Sequence, residues 1–131
     1  MLYKQAQQFQ EAYANIKTKH FPISVAYKLM LINKDATDCI SFFENQYAEI
    51  IAEYAQKDEN GQIVQTEEGN IKIIPEKIND AAQRINELET FEIQIDQNKL
   101  LTLDELQIIN DECKLTLEDL EIFMQVTLKN N

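Results

Sequence analysis

Residues that interrupt regular structure are scarce in this chain: two glycines and two prolines among 131 residues. A sandwich or barrel reverses direction roughly every ten residues and needs many more of them, so a mostly helical chain is expected. Tryptophan is absent, and there is one histidine, His20, and one arginine, Arg84. That leaves little material for metal clusters, nucleophilic triads or bidentate phosphate clamps. Two glycines also exclude a phosphate-cradling GxGxxG or Walker loop. Cys39 and Cys113 lie 74 positions apart with no CxxC spacing, which reads as two buried free thiols in a reducing cytosol. The first residues hold no apolar run of signal-peptide length, and no stretch approaches the roughly 18–20 apolar residues of a membrane span. The expectation is a cytosolic, non-enzymatic protein with no membrane contact, no metal and no cofactor.

Negative charge, by contrast, is abundant. Twenty-three acids against 12 bases give a formal net charge of −11. The distribution is uneven: residues 1–34 hold five lysines and one acid, Glu11, whereas the rest of the chain holds seven bases and 22 acids. An acidic body repels a phosphate backbone, whose affinity for proteins comes from cationic side chains displacing counterions. Direct binding of nucleic acid is therefore not expected. Such an excess keeps a protein dispersed, and it also suits a surface that docks on a basic partner or imitates nucleic acid.

Apolar periodicity supplies the element order. Leu2, Ala6, Phe9, Tyr13 and Ile16 form one helical stripe over residues 2–17, and Phe21-Pro22 ends that helix. Val25, Leu29, Ile32, Ala36, Cys39, Phe43 and Ile50 keep the same alternation of four and three. They predict a long helix from Ser24 to Gln56 that invites a coiled-coil or bundle partner, from this chain or from a second copy. Lys57-Asp58-Glu59-Asn60-Gly61 stops it. Gln62–Thr66 and Asn70–Ile74 are short β-branched runs around a Glu67-Glu68-Gly69 turn, which predicts a β-hairpin. A helix over 76–89 follows, then alternating Phe91, Ile93 and Ile95, the period of a third strand. Leu101-Thr102-Leu103-Asp104-Glu105-Leu106 and Leu115-Thr116-Leu117-Glu118-Asp119-Leu120 echo one another, each placing a threonine three residues before an acid. This is the capping box or a near variant, and it predicts two short helix starts.

The expected fold is thus α+β and predominantly helical, one domain over 1–131. It comprises a long helical hairpin (1–56), a small antiparallel β-sheet built from a hairpin, a helix and a third strand (57–96), and two short C-terminal helices (97–131). The central part, about residues 24–96, resembles a family of small bacteriophage proteins. The likeness lies in Glu49-Ile50-Ile51-Ala52-Glu53-Tyr54-Ala55, Lys57-Asp58-Glu59-Asn60-Gly61, Val64-Gln65-Thr66-Glu67-Glu68-Gly69-Asn70-Ile71-Lys72-Ile73 and Phe91-Glu92-Ile93-Gln94-Ile95. The resemblance implies a viral origin, hence the cytoplasm of a bacterial host, and a small helical fold. It implies no reaction.

Two groups of side chains are candidates for contact with a ligand or partner. Lys17, Lys19 and His20 form a cationic corner between the first two helices, and Tyr27 follows on the second. Glu118, Asp119 and Glu121 cluster near the C-terminus. The first group suits a small anionic ligand, and the second suits a basic partner. Asp58-Glu59-Asn60-Gly61 lacks the alternate oxygen ligands and twelfth-position glutamate of a calcium loop. Three functions fit. The first is a phage-encoded interaction protein binding a host or virion protein, with a homo-oligomer as one possibility. The second is an acidic nucleic-acid mimic that inhibits a host defence protein. The third is an oligomeric sponge that sequesters a nucleotide signal.

Overall fold

The computed structural model describes residues 1–129. Among these residues there are five α-helices: α1 (Tyr3–Ile16), α2 (Ile23–Tyr54), α3 (Ile78–Glu89), α4 (Leu103–Cys113) and α5 (Leu117–Thr127). Single 3₁₀ turns stand at Pro75–Lys77 and Gln97–Lys99. Among the described residues, no helix is long and apolar enough to cross a membrane. The chain divides into two compact units, one formed by Met1–Ser41 with the chain from Glu92 onward, the other by Phe42–Phe91. Helix α2 supplies residues to both.

In the first unit, α1 starts where the Gln5 Oε1 accepts the Leu2 N–H at 2.9 Å. Its Ala6, Phe9, Ala12 and Ile16 are buried, one turn apart on a single stripe. After the turn, the Pro22 carbonyl accepts the N–H groups of Val25 and Ala26 and opens α2, whose Val25, Leu29, Ile32, Ala36 and Cys39 are buried in the same core. The two helices run antiparallel, tied where the Gln10 amide donates to Thr37 Oγ1 at 2.7 Å. Each C-terminal helix is capped by the expected threonine. Thr102 Oγ1 accepts from the Glu105 N–H while Glu105 Oε1 accepts from the Thr102 N–H, and Thr116 Oγ1 accepts from the Asp119 N–H. A cap of this kind contributes about 0.5–2 kcal/mol. Helix α5 lies across α1, with Phe123 edge-on to Phe9 at 5.5 Å between ring centroids. Both rings are fully buried. Met124 faces solvent, because the stripe that meets α1 runs through Ile122, Phe123 and Val126.

The second unit packs Ile50, Tyr54, Ala81 and Leu88 together, with Phe43, Ile73 and Ile85 half-buried around them. Between α2 and α3 the backbone traces a closed triangle. Gln56 N–H donates to the Lys72 carbonyl (2.7 Å), Lys72 N–H to that of Val64 (3.0 Å), and Val64 N–H to that of Gln56 (2.8 Å). An outer set repeats the pattern: Asp58 N–H to Gln62, Thr66 N–H to Asn70, and Ile74 N–H to Tyr54. Each corner is closed by one further bond, from Gly61 to Asp58, Gly69 to Thr66 and Lys77 to Ile74. Every equivalent atom recurs eight residues along, so residues 54–77 are three octads folded once around a pseudo-threefold axis. Gly61 and Gly69 occupy two corners with φ of +78° and +86°, a region that costs an L side chain roughly 1–2 kcal/mol.

This triangle overturns the expected α+β class. Among the described residues there is no β-strand and no sheet, only isolated bridges at Ala55–Ile73, Lys57–Ile63, Gln65–Ile71 and Leu101–Leu128. The Gln62–Thr66 and Asn70–Ile74 runs do meet at the Glu67-Glu68-Gly69 turn, but as one bridge and not as a ladder. Each extended edge shares its hydrogen bonds between two neighbours at different ends, so none grows along a single partner. Helix α2 accordingly stops at Tyr54 and not at Gln56, since Ala55 already pairs with Ile73. The expected third strand at 91–96 is likewise absent. Ile93 exchanges backbone bonds with Met1, whose ammonium donates to the Ile93 carbonyl at 2.5 Å while the Ile93 N–H donates back at 3.0 Å. Ile93 and Ile95 pack against the first core. Their period of two reflects an extended segment with one face inward and needs no sheet.

Candidate functional site

The crossing of α5 over α1 leaves a groove of about 450 Å³ between the two helices. Its floor is apolar, formed by the buried Ile122 and the half-buried Leu2. Its walls are acidic: Glu11 stands on α1, and Glu118, Asp119 and Glu121 stand on the first turns of α5. The four carboxylates face a single lysine in the lining, Lys4. The α5 acids sit where they do for a local reason. Glu118 and Asp119 fill the first turn behind the Thr116 cap, where the unpaired N–H groups of a helix start favour negative charge. Asp119 is also held toward α1, its Oδ2 accepting from Asn15 Nδ2 at 3.4 Å. Beside the groove lies an apolar shelf lined by Leu117, Leu120 and Met124, and Glu121 and Gln125 line both. Leu117 is 86% exposed and Met124 47% exposed.

The cationic corner has a different character. Lys17, Lys19 and His20 lie exposed on the turn between α1 and α2, and Tyr27 projects from α2 with 57% exposure. None of the four lines the α1–α5 groove. They share a stretch of surface with Ile23 (88% exposed) and Met30 (52% exposed). Ile23, Tyr27, Met30 and Lys34 are spaced by four, three and four, which puts them on one helical stripe. Lys28 is engaged with α4: its Nζ donates to Glu105 Oε1 at 2.6 Å. Burial, the largest single influence, pushes the Glu105 carboxyl up. The Lys28 ammonium together with the Thr102 N–H and hydroxyl outweighs it, and holds the group below the usual glutamate range.

Comparison with protein-family models, curated proteins and solved structures gave no match. The chemistry of the chain is therefore read from its own side chains. Among the described residues, no group of three His, Cys, Asp or Glu side chains is arranged to hold a metal ion. Burial raises both thiols, that of Cys39 against the opposing pull of the N-terminal ammonium and that of Cys113 against the pull of Lys19. A raised thiol is a poor nucleophile at neutral pH. In the second unit a smaller groove of about 190 Å³ is bordered by Phe42, Ile50, Arg84 and Phe91, with the Phe42 and Phe91 rings tilted at 40° and 5.5 Å between centroids.

Reasoning from sequence singled out Glu118, Asp119 and Glu121, which the structure brings to one wall. It did not find Leu2, Glu11 or Ile122. Glu11 is the one acid of the basic N-terminal segment, and nothing in the local pattern marks it. Its partnership with α5 depends on how two helices more than a hundred residues apart cross.

Proposed function

We propose that this chain is a non-enzymatic interaction protein, encoded by a phage, that binds another protein through the α1–α5 groove. The observation that carries this reading is the pairing of an apolar floor and shelf with an acidic wall: Ile122, Leu117 and Met124 beside Glu11, Glu118, Asp119 and Glu121. Exposed apolar side chains rimmed by charge are a signature of protein-binding surfaces. The acids steer a basic partner toward the groove and set its orientation, while burial of the apolar shelf slows dissociation. The viral origin is what the resemblance of residues 24–96 to small phage proteins implies.

The test is an affinity capture from bacterial lysate after nuclease treatment, comparing the natural chain with Leu117→Ser and with Glu118→Lys/Glu121→Lys. A stoichiometric protein retained by the natural chain and lost with both variants is the expected result. Capture that both variants leave intact overturns the assignment to this groove. Mimicry of nucleic acid draws on the same acids but gives the apolar shelf no role. A partner lost with the charge reversal and kept by Leu117→Ser would favour that second reading.

A further inference from the structure

The chain carries on its own surface a patch whose chemistry complements the groove. On α2, Ile23, Tyr27 and Met30 expose an apolar stripe of three side chains that ends at Lys34, and it is preceded by Lys17, Lys19 and His20 in the turn. Residues 1–34 are the basic part of an otherwise acidic chain. On α5, Leu117 and Met124 expose an apolar shelf bounded by Glu118, Asp119 and Glu121. One surface is apolar and cationic, the other apolar and anionic. Both stay open within one chain, since Ile23 and Leu117 are each more than four-fifths exposed.

We infer that the occupant of the α1–α5 groove is a second copy of this chain, which presents the start of its α2 with the Lys17–Lys19 corner toward the acids of α5. This rests on the groove being a protein-binding site and names its partner. The contact joins two different surfaces. Two copies therefore satisfy both of their surfaces if the geometry closes, and otherwise add in sequence. A net charge of −11 opposes association of like chains, so the attraction must be local. Lys17, Lys19 and Lys34, three of the five lysines in the first 34 residues, make it so. Leu117 and Ile23 supply the apolar area, while the lysines and carboxylates set which surfaces meet.

Charge exchange tests the inference. Sedimentation velocity on the full chain from micromolar to millimolar concentration should show reversible self-association. Lys17→Glu/Lys19→Glu and Glu118→Lys/Glu121→Lys should each weaken it by roughly tenfold or more. Mixing the two variants should restore it, because every contact between unlike variants then pairs opposite charges. A folding defect in either variant cannot produce that rescue. A chain that stays monomeric throughout overturns the inference, as does association that neither variant weakens, or a mixture that associates no better than its components. If the chain is monomeric yet captures a lysate protein through Leu117 and Glu118, the groove reading stands and only the identity of its occupant falls.

Discussion

The triangle of residues 54–77 makes a sharp prediction at its two glycine corners. An added Cβ at Gly61 or Gly69 meets nothing within 4 Å, so Gly61→Ala and Gly69→Ala introduce no clash and their cost is purely conformational. At φ of +78° and +86° an L residue is disfavoured by about 1–2 kcal/mol. Asparagine tolerates this region better than other side chains, so Gly61→Asn and Gly69→Asn should cost distinctly less than alanine. The readout should be local, because the second unit has its own core. Amide hydrogen exchange at Gln56, Val64 and Lys72, the three donors of the inner ring, reports its opening directly. A loss of 1–2 kcal/mol should speed exchange there by a factor of about 5–30 and leave the Ile93 amide, which bonds Met1 in the first unit, unchanged. Ring amides unaffected by Gly69→Ala would refute the argument that backbone angle drives the corner. A cost above about 4 kcal/mol would equally refute it, since that needs a steric contact the structure lacks.

Three further outcomes are expected. Phe123→Ala empties a fully buried site packed edge-on against Phe9 and should destabilise the first unit by about 3–5 kcal/mol, read as a lowered urea midpoint; Leu117→Ala, at an exposed position, should stay within about 0.5 kcal/mol. Glu105 is held below the usual glutamate range, so its contribution to stability is complete above the unfolded value of about 4.3 and is lost as pH falls through the folded value. Glu105→Gln should flatten that acid limb in pH-dependent denaturation and lower stability at neutral pH, where the charge-assisted bond to Lys28 is gone. Of the two free thiols, buried Cys39 should be silent to a thiol reagent until the chain unfolds, whereas half-buried Cys113 should react slowly in the native state; equal rates for both would contradict their placement.

Much of the helical order was legible in the amino-acid pattern. The alternation of Val25, Leu29, Ile32, Ala36 and Cys39 marks the buried stripe of α2 because a helix returns to the same face every three or four residues. Thr102 and Thr116 mark the starts of α4 and α5 because a hydroxyl there meets N–H groups that the helix itself leaves unpaired. Half of the candidate groove was legible too, as the acids Glu118, Asp119 and Glu121, since these follow a cap in one short stretch. The other half was not. Leu2 and Glu11 belong to it only because Phe9 and Phe123 bring α1 and α5 together.

The residues between the helices divide along the same line. Local chemistry alone determined that Gly61 and Gly69 would turn the chain and that Ile63, Ile71 and Ile73 would be extended, because backbone angles respond to a residue and its nearest neighbours. Which extended segment would pair with which was a tertiary decision. A backbone N–H carries no label, and the β-branched runs satisfied the pattern of a hairpin as well as that of a triangle. The choice fell to closure of the ring, in which Tyr54 at the end of α2 and Gln56 just past it take Ile74 and Lys72 as partners. Helix, turn and charge were thus written in short stretches of sequence, while the groove, the triangle and the absence of a sheet among the described residues came from contacts between segments far apart in the chain.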